Sequence, residues 1–263
     1  MNIIQAVILG IVEGITEFLP VSSTFHLIFA AHFLGIAQND FIKLFEVVIQ
    51  GGAILSVLIL YFKELFKDRA LMMKVLASFL PTAAVGFVLE KIIKSVFFES
   101  TTLMLTAFFI VGVIFILMEL FLKKKNIQLK KEITAITFKD ALIVGLVQAL
   151  AVVPGVSRAG SVIVGMIFLG YKRSDAAKYS FMLSIPTIFA ASALELFKMR
   201  NVLTNQSNNI LLLIVGSVIS FIVSFIVIKW LIGYLKSNSL QVFGWYRFVV
   251  IGLILLSMYL HFI

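Results

Sequence analysis

Apolar residues run almost without interruption along the chain, divided by short charged loops and by two polar knots that fall inside apolar stretches. Six runs, near 41–62, 73–93, 103–122, 175–198, 209–232 and 244–262, have the roughly 20 residues a helix needs to cross a bilayer. Two further apolar regions, 2–34 and 138–170, are each cut in the middle by a proline and a polar cluster. Their second arms, Phe25 to Leu34 and Ser161 to Gly170, have about ten residues, too few to span at about 1.5 Å rise per residue. The pattern therefore predicts an all-α polytopic membrane protein with six transmembrane helices plus two re-entrant helical hairpins.

The two halves echo each other. Ile8-Leu9-Gly10-Ile11-Val12-Glu13 is matched by Ile143-Val144-Gly145-Leu146-Val147-Gln148, Pro20-Val21-Ser22-Ser23 by Pro154-Gly155-Val156-Ser157, and Phe45 to Gln50 by Phe181 to Pro186. Each repeat reads as a broken hairpin followed by three spans. Three is odd, so the second repeat inserts upside down, an inverted-topology repeat of the kind found in transporters. The expected organisation is a single membrane domain over 1–263, with repeat one at about 1–125 and repeat two at about 135–263.

Composition narrows the class. Hydrophobic residues make up 61% of the chain, mean hydropathy is +1.11 and 26 of 263 residues are Phe, which excludes a soluble globule. Cysteine is absent, so disulfide and thiolate chemistry are excluded. The N-terminus lacks a charged leader and a small-residue cleavage site, and its apolar stretch is expected to be mature structure. A net charge of +9 need not mean nucleic acid, and none is expected as a partner. The loops 63–74, 123–139, 172–178 and 229–247 hold 16 of the 22 basic residues, counting Arg247, while Lys43, Lys91, Lys94, Lys198 and Arg200 fall on the other side. By the positive-inside rule those four loops are cytoplasmic, both termini lie outside, and the first hairpin enters from outside.

Candidate chemistry concentrates in the two breaks. Glu13 and Glu17, one turn apart, project from one helix face with Thr16 beside them. After Pro20 come Ser22, Ser23, Thr24 and His26, a polar knot at the predicted start of a second helix, where free N–H groups and the dipole favour an anion. Isolated hydroxyls and a lone imidazole in membrane helices often only satisfy local hydrogen bonds. Two acids differ, because each ionisable group at a helix centre costs about 2.5–3.5 kcal/mol on insertion scales. The second break carries Gly155, Ser157 and Arg158, and inverted hairpins meeting in the middle would bring Arg158 to the acidic cluster. There its planar fork either neutralises the acids or clamps phosphate oxygens, assisted by Ser157 and the N–H groups after Gly155.

The runs E-G-I-T-E-F-L-P-V-S-S-T-F-H and P-G-V-S-R-A-G, with F-E-V-V-I-Q-G-G at 45–52 and S-F-M-L-S-I-P at 180–186, resemble the undecaprenyl-diphosphatase family, the bacitracin-resistance membrane phosphatases of bacteria. The resemblance covers essentially the whole chain. It implies hydrolysis of undecaprenyl diphosphate, a polyprenyl diphosphate lipid, to the monophosphate. That reaction recycles the carrier for peptidoglycan synthesis and confers bacitracin resistance, with dependence on Mg²⁺ or Ca²⁺. It further implies a bacterial plasma membrane location with the site open to the extracytoplasmic side. Carried onto matching positions, the catalytic set is Glu17, Ser23, His26 and Arg158. The substrate-binding set is Ser22, Thr24, Gly155, Ser157 and Arg158, and the metal-holding pair is Glu13 and Glu17. Phe25 departs from the family's usual Gly, and Ala159, Ser161 and Val162 replace Ser, Ala and Thr. The first change is expected to narrow the approach to His26; Ala159 and Val162 remove two hydroxyls near Arg158, and Ser161 offsets one of them.

Two mechanisms fit the spacing: attack by Ser23 activated by His26, or attack by water with His26 as acid or base. A transporter or flippase of a phosphorylated lipid is the rival class. A type-2 phosphatidic-acid phosphatase needs two catalytic histidines and an aspartate, which His26, His32 and His261 do not supply. A homodimer is compatible with the sequence.

Overall fold

Among residues 1–89, 100–201 and 208–260, which the computed structural model of the protein describes, every regular element is helical. Lys91, Lys94 and His261 lie outside the described residues. The order is α1 (Ile3–Thr16), α2 (Ser23–Phe33), α3 (Asp40–Lys67), α4 (Arg69–Val88), α5 (Thr101–Lys124), α6 (Phe138–Ala149), α7 (Arg158–Phe168), α8 (Arg173–Lys198), α9 (Asn208–Leu235) and α10 (Gln241–Tyr259). Six of these, α3, α4, α5, α8, α9 and α10, are long and apolar enough to cross a membrane. They fall on the six predicted runs, and the two broken regions become the pairs α1/α2 and α6/α7. Both second arms, α2 and α7, have 11 residues. Arg247 is the exception to the loop assignment: it lies inside α10, fully buried, because that helix begins at Gln241, six residues before it.

Helix starts are set by side-chain caps, which satisfy N–H groups that have no intrahelical partner. Asn2 and Gln5 form a reciprocal box at α1, and Thr137 and Asp140 do the same at α6. Asn39, Asp68 and Ser100 cap α3, α4 and α5. Both broken regions fold back on themselves. The Gln5 amide donates to the Leu34 carbonyl at 3.1 Å, tying the start of α1 to the end of α2. The Tyr171 hydroxyl donates to Asp140 at 2.8 Å, tying the residues after α7 to the start of α6.

The charged loops are tied together at one end of the bundle. Lys178, near the start of α8, pairs with Glu64 near the end of α3 at 2.5 Å. Buried Glu119 near the end of α5 receives Arg173 Nε at 2.7 Å and the Leu240 N–H, just before α10, at 3.0 Å. Asp175 accepts from the Ile133 N–H at 3.0 Å, linking the first turn of α8 to the α5–α6 connection. The open end of the α6/α7 pair belongs to this cluster, through Tyr171. The open end of the α1/α2 pair lies at the opposite end, where Ala31 and Ile36 pack with Ile42 at the start of α3 and Leu212 and Leu213 at the start of α9.

Packing follows the same duality. α1 lies along α9, α6 lies along α4, and α5 crosses α10. With little hydrophobic drive between helices in lipid, close approach through small residues and interhelical hydrogen bonds does the joining. A Cβ on Gly14 would sit 2.6 Å from Val223 Cβ and 2.9 Å from the Ser220 carbonyl. Ser224 donates to the Gly14 carbonyl at 3.2 Å, and on the other pair Thr82 donates to the Gly145 carbonyl at 3.0 Å. Beneath the breaks, Phe18 packs edge-on against Phe181 at 5.2 Å, which accounts for the F-M-L-S-I-P run as core.

Candidate active site

α1 ends at Thr16, and the Glu17 N–H still reaches the Glu13 carbonyl at 2.9 Å, so the two carboxylates leave the last turn one above the other. The chain then turns through residues 17–22 and restarts as α2 after Ser22, whose φ is 67°. The other break does the same: Ser157, with φ 75°, precedes α7. Left-handed backbone at a serine costs on the order of 1–3 kcal/mol and persists only where surrounding structure enforces it. Ser22, not Ser23, is therefore the structural counterpart of Ser157, a shift of one residue from the pairing that the sequence echo suggests. The caps differ in one respect. Ser157 Oγ accepts from the Gly160 N–H at 3.1 Å, whereas Ser22 makes no side-chain cap bond, so α2 begins with N–H groups that no cap occupies.

The two breaks meet. Arg158 Nη2 donates to Glu17 Oε1 at 2.8 Å across 141 residues of sequence, and the Ser23 hydroxyl donates to the other oxygen, Glu17 Oε2. One carboxylate thus joins a hydroxyl from its own break to a guanidinium from the other. Glu13 is fully buried and both its oxygens lack a hydrogen-bond partner, as does Arg158 Nη1. Among the described residues, Glu13 and Arg158 are the charged side chains that hold such unpartnered buried atoms. Burying an unpaired charge is costly, so a site that keeps one acceptor pair and one guanidinium donor open is shaped for charged ligands.

His26 projects from α2 one turn after Ser22. Its Nδ1 lies 2.8 Å from the Ser22 carbonyl oxygen and its Nε2 lies 2.8 Å from the Tyr246 hydroxyl. Both ring nitrogens are engaged there, and the group that Ser23 touches is Glu17. Thr24 is half-buried in the first turn of α2. Gly155 has φ 97°, and a Cβ there would meet the Met104 carbonyl at 2.5 Å, so only glycine lets this break approach α5. Phe25 is buried and stacks on Phe108 with ring centroids 4.0 Å apart, while lying edge-on to His26 at 5.7 Å. It fills the space beside the imidazole. Ala159 and Val162 are core residues, and the Ser161 hydroxyl is used on the Ser157 carbonyl at 3.0 Å.

Two residues of this region have no place in the sequence reading of the site. Arg247 is fully buried and donates from Nε and Nη2 to the Pro20 carbonyl (3.3 and 3.0 Å), from Nη1 to those of Phe108 and Gly155 (3.2 and 2.8 Å), and from Nη2 to that of Val156 (3.3 Å). It also stacks over the Phe108 ring at 4.4 Å. One guanidinium therefore pins both breaks to α10. A signal was available: an arginine without a nearby acid inside an apolar run long enough to span. Tyr246 beside it carried no such signal, because tyrosines at membrane edges are common.

These features define a class: a multi-pass helical membrane protein in which buried carboxylates, serine hydroxyls and a guanidinium from two broken helical pairs face one another. Residues 6–254 match the family model described as bacitracin resistance protein BacA, and the chain belongs to that family. It is similar to the undecaprenyl-diphosphatase of Aquifex aeolicus, with 43% identity over 256 residues covering 97% of this chain and 98% of the relative. The undecaprenyl-diphosphatase of a Sulfurihydrogenibium species is 44% identical with the same coverage, and that of Enterococcus faecalis is 42% identical over 274 residues, 98% of each chain.

Proposed function

We propose that the protein hydrolyses undecaprenyl diphosphate to undecaprenyl phosphate and inorganic phosphate, returning the lipid carrier to cell-wall synthesis and thereby conferring bacitracin resistance. The observation that carries this reading is the contact of Arg158 with Glu17 across the two breaks, with Ser23 on the same carboxylate and unpartnered buried atoms on Glu13 and Arg158. The names of the relatives and the match along nearly the whole chain support it.

The residues support a division of labour. Phosphoryl transfer needs charge on the diphosphate neutralised and a nucleophile in line. Arg158 has Nη1 free for a phosphate oxygen beside the Nη2 it gives to Glu17. The uncapped start of α2 presents N–H groups to the same anion. Ser23 is the nucleophile that the geometry favours, because its hydroxyl already donates to Glu17, which stands ready to take the proton. As Ser23 Oγ forms a bond to the terminal phosphorus, its proton passes to Glu17. The anhydride P–O bond breaks, and the electron pair leaves on the oxygen of undecaprenyl phosphate. Water then attacks the phosphoserine, giving its proton to His26 Nε2. The Ser23 O–P bond breaks, the Ser23 oxygen takes back the proton held by Glu17, and the His26 proton leaves to solvent with inorganic phosphate.

The donor set fits a divalent cation, since both oxygens of buried Glu13 lack a partner and Glu17 stands one turn away. Glu13 and Glu17 would hold Mg²⁺ or Ca²⁺, hard ions suited to carboxylates and phosphate oxygens. When bound, such an ion neutralises diphosphate charge. The two broken pairs are read as re-entrant hairpins of an inverted repeat, inserted from opposite sides of a bacterial plasma membrane, with the site open to the extracytoplasmic side. The clustering of charged loops at the end away from the α1/α2 ends supports that orientation.

The test is phosphate release from undecaprenyl diphosphate by the purified protein in detergent, where a transporter has no sides to move lipid between. Release is expected from the wild type, is lost with a chelator, and falls by about a hundredfold or more in Ser23→Ala. A Ser23→Ala protein with near-normal turnover would remove the phosphoserine route, and an inactive wild type would leave lipid carriage as the better reading.

A further inference from the structure

We propose that Tyr246 is a positioning residue for His26, holding its imidazole in one tautomer and one orientation at the lipid-facing edge of the site. Its effect on turnover rests on the phosphatase reading above, whereas the geometry stands without it. The Ser22 carbonyl only accepts hydrogen bonds, so Nδ1 of His26, 2.8 Å away, carries a hydrogen. In the neutral ring Nε2 is then bare, and its lone pair points at the Tyr246 hydroxyl at 2.8 Å, which donates to it. The two rings lie nearly parallel, 15° apart with centroids separated by 5.7 Å, and the phenol hydroxyl caps the one basic atom of the imidazole.

Tyr246 is well placed for this by its neighbours on α10. Arg247, the next residue, is buried and bonded to the carbonyls of Pro20, Gly155 and Val156, which fixes α10 relative to both breaks. Trp245, on the other side, is 58% exposed, and Val249, one turn on, is 62% exposed, marking the lipid-facing side. Tyr246 stands between these faces at 40% exposure. Its hydroxyl therefore sits where a lipid diphosphate passing between α2 and α10 would meet the site. Nε2 is the atom through which His26 takes up or releases a proton, and Tyr246 sets where that atom points. The sequence gives Tyr246 no motif; only the fold brings it to a residue 220 positions earlier.

Steady-state hydrolysis by wild type, Tyr246→Phe, His26→Ala and the double variant tests the coupling. Tyr246→Phe keeps the ring and removes only the hydroxyl. Its kcat is expected to fall by about tenfold with KM within about twofold, and the same change in the His26→Ala background is expected to cost nothing more. A wild-type kcat in Tyr246→Phe, or losses that multiply in the double variant, would overturn the proposal. A second readout needs no activity: the ¹⁵N spectrum of histidine-labelled protein, with His26 assigned by His26→Gln. The wild type is expected to show His26 protonated at Nδ1, and Tyr246→Phe to move the Nε2 resonance toward that of a free nitrogen. An unchanged Nε2 resonance would also overturn it. Absence of hydrolysis by the wild type would strike the phosphatase reading alone, leaving the spectrum to decide on Tyr246.

Discussion

Arg158→Ala is expected to lower phosphate release from undecaprenyl diphosphate by about three orders of magnitude and to destabilise the protein at the same time. Loss of one preorganised donor to a developing oxyanion typically costs about 10²–10³ in turnover. Here the same side chain also anchors Glu17, the carboxylate that holds the Ser23 hydroxyl. Without Arg158 that carboxylate loses its counterion in a buried site, and removing one partner of a buried pair costs about 3–5 kcal/mol. Arg158→Lys separates the two effects. An ammonium restores charge near Glu17 but not the planar fork, so thermal stability in detergent is expected to recover further than activity. Phosphate release from Arg158→Ala within tenfold of wild type would mean that this guanidinium is not part of the chemistry.

Arg247→Met is expected to have the largest effect on the fold. The methionine fills much of the same volume, but the carbonyls of Pro20, Phe108, Gly155 and Val156 lose the donor that joins them. A buried acceptor left unsatisfied costs about 1–3 kcal/mol, and each kcal/mol moves the melting temperature of a chain of this size by about 2–4 °C. A fall in melting temperature of about 10 °C or more is expected, or failure to accumulate folded protein in the membrane. Arg247→Lys should fall between, since three rotatable donors on one nitrogen cannot span carbonyls from both breaks and α5. Melting temperatures of the purified variants in the same detergent check this, and a methionine variant that melts with the wild type would show that the breaks are held together by something else.

Much of this arrangement was legible in the residue pattern because membrane depth makes polar residues conspicuous. A carboxylate pair one turn apart inside an apolar run, a proline and three hydroxyls, and a lone Arg158 after Gly155 could not be ordinary spans. Charge placement grouped loops that the fold also brings together: the residues that cluster at one end, Glu64, Glu119, Glu132, Lys172, Arg173 and Lys178, sit in or beside the basic loops, Arg247 excepted. What the pattern obscured was contact between distant elements. Arg247 falls where a basic loop and a predicted span overlap, and only the start of α10 at Gln241 decides that its side chain turns inward. Ser22 and Ser23 are adjacent hydroxyls with the same local chemistry, and the positive φ at Ser22 is what gives one the turn and the other Glu17. Gln148 shows the limit of the internal echo. It stands where Glu13 stands in the matched run of residues but donates to Thr82 at 2.8 Å, so the echo in sequence does not carry a second charge.

The most direct test is an experimental structure of the protein with a non-hydrolysable methylene analogue of a polyprenyl diphosphate, in the presence of Mg²⁺. The diphosphonate group is expected between the two breaks, with an oxygen within hydrogen-bond distance of Arg158 and the terminal phosphorus beside Ser23 Oγ. A diphosphonate seated elsewhere, for example in the surface cleft lined by Lys63, Glu64, Lys67, Asp68 and Arg69 at the C-terminal end of α3, with Arg158 and Ser23 untouched, would contradict it.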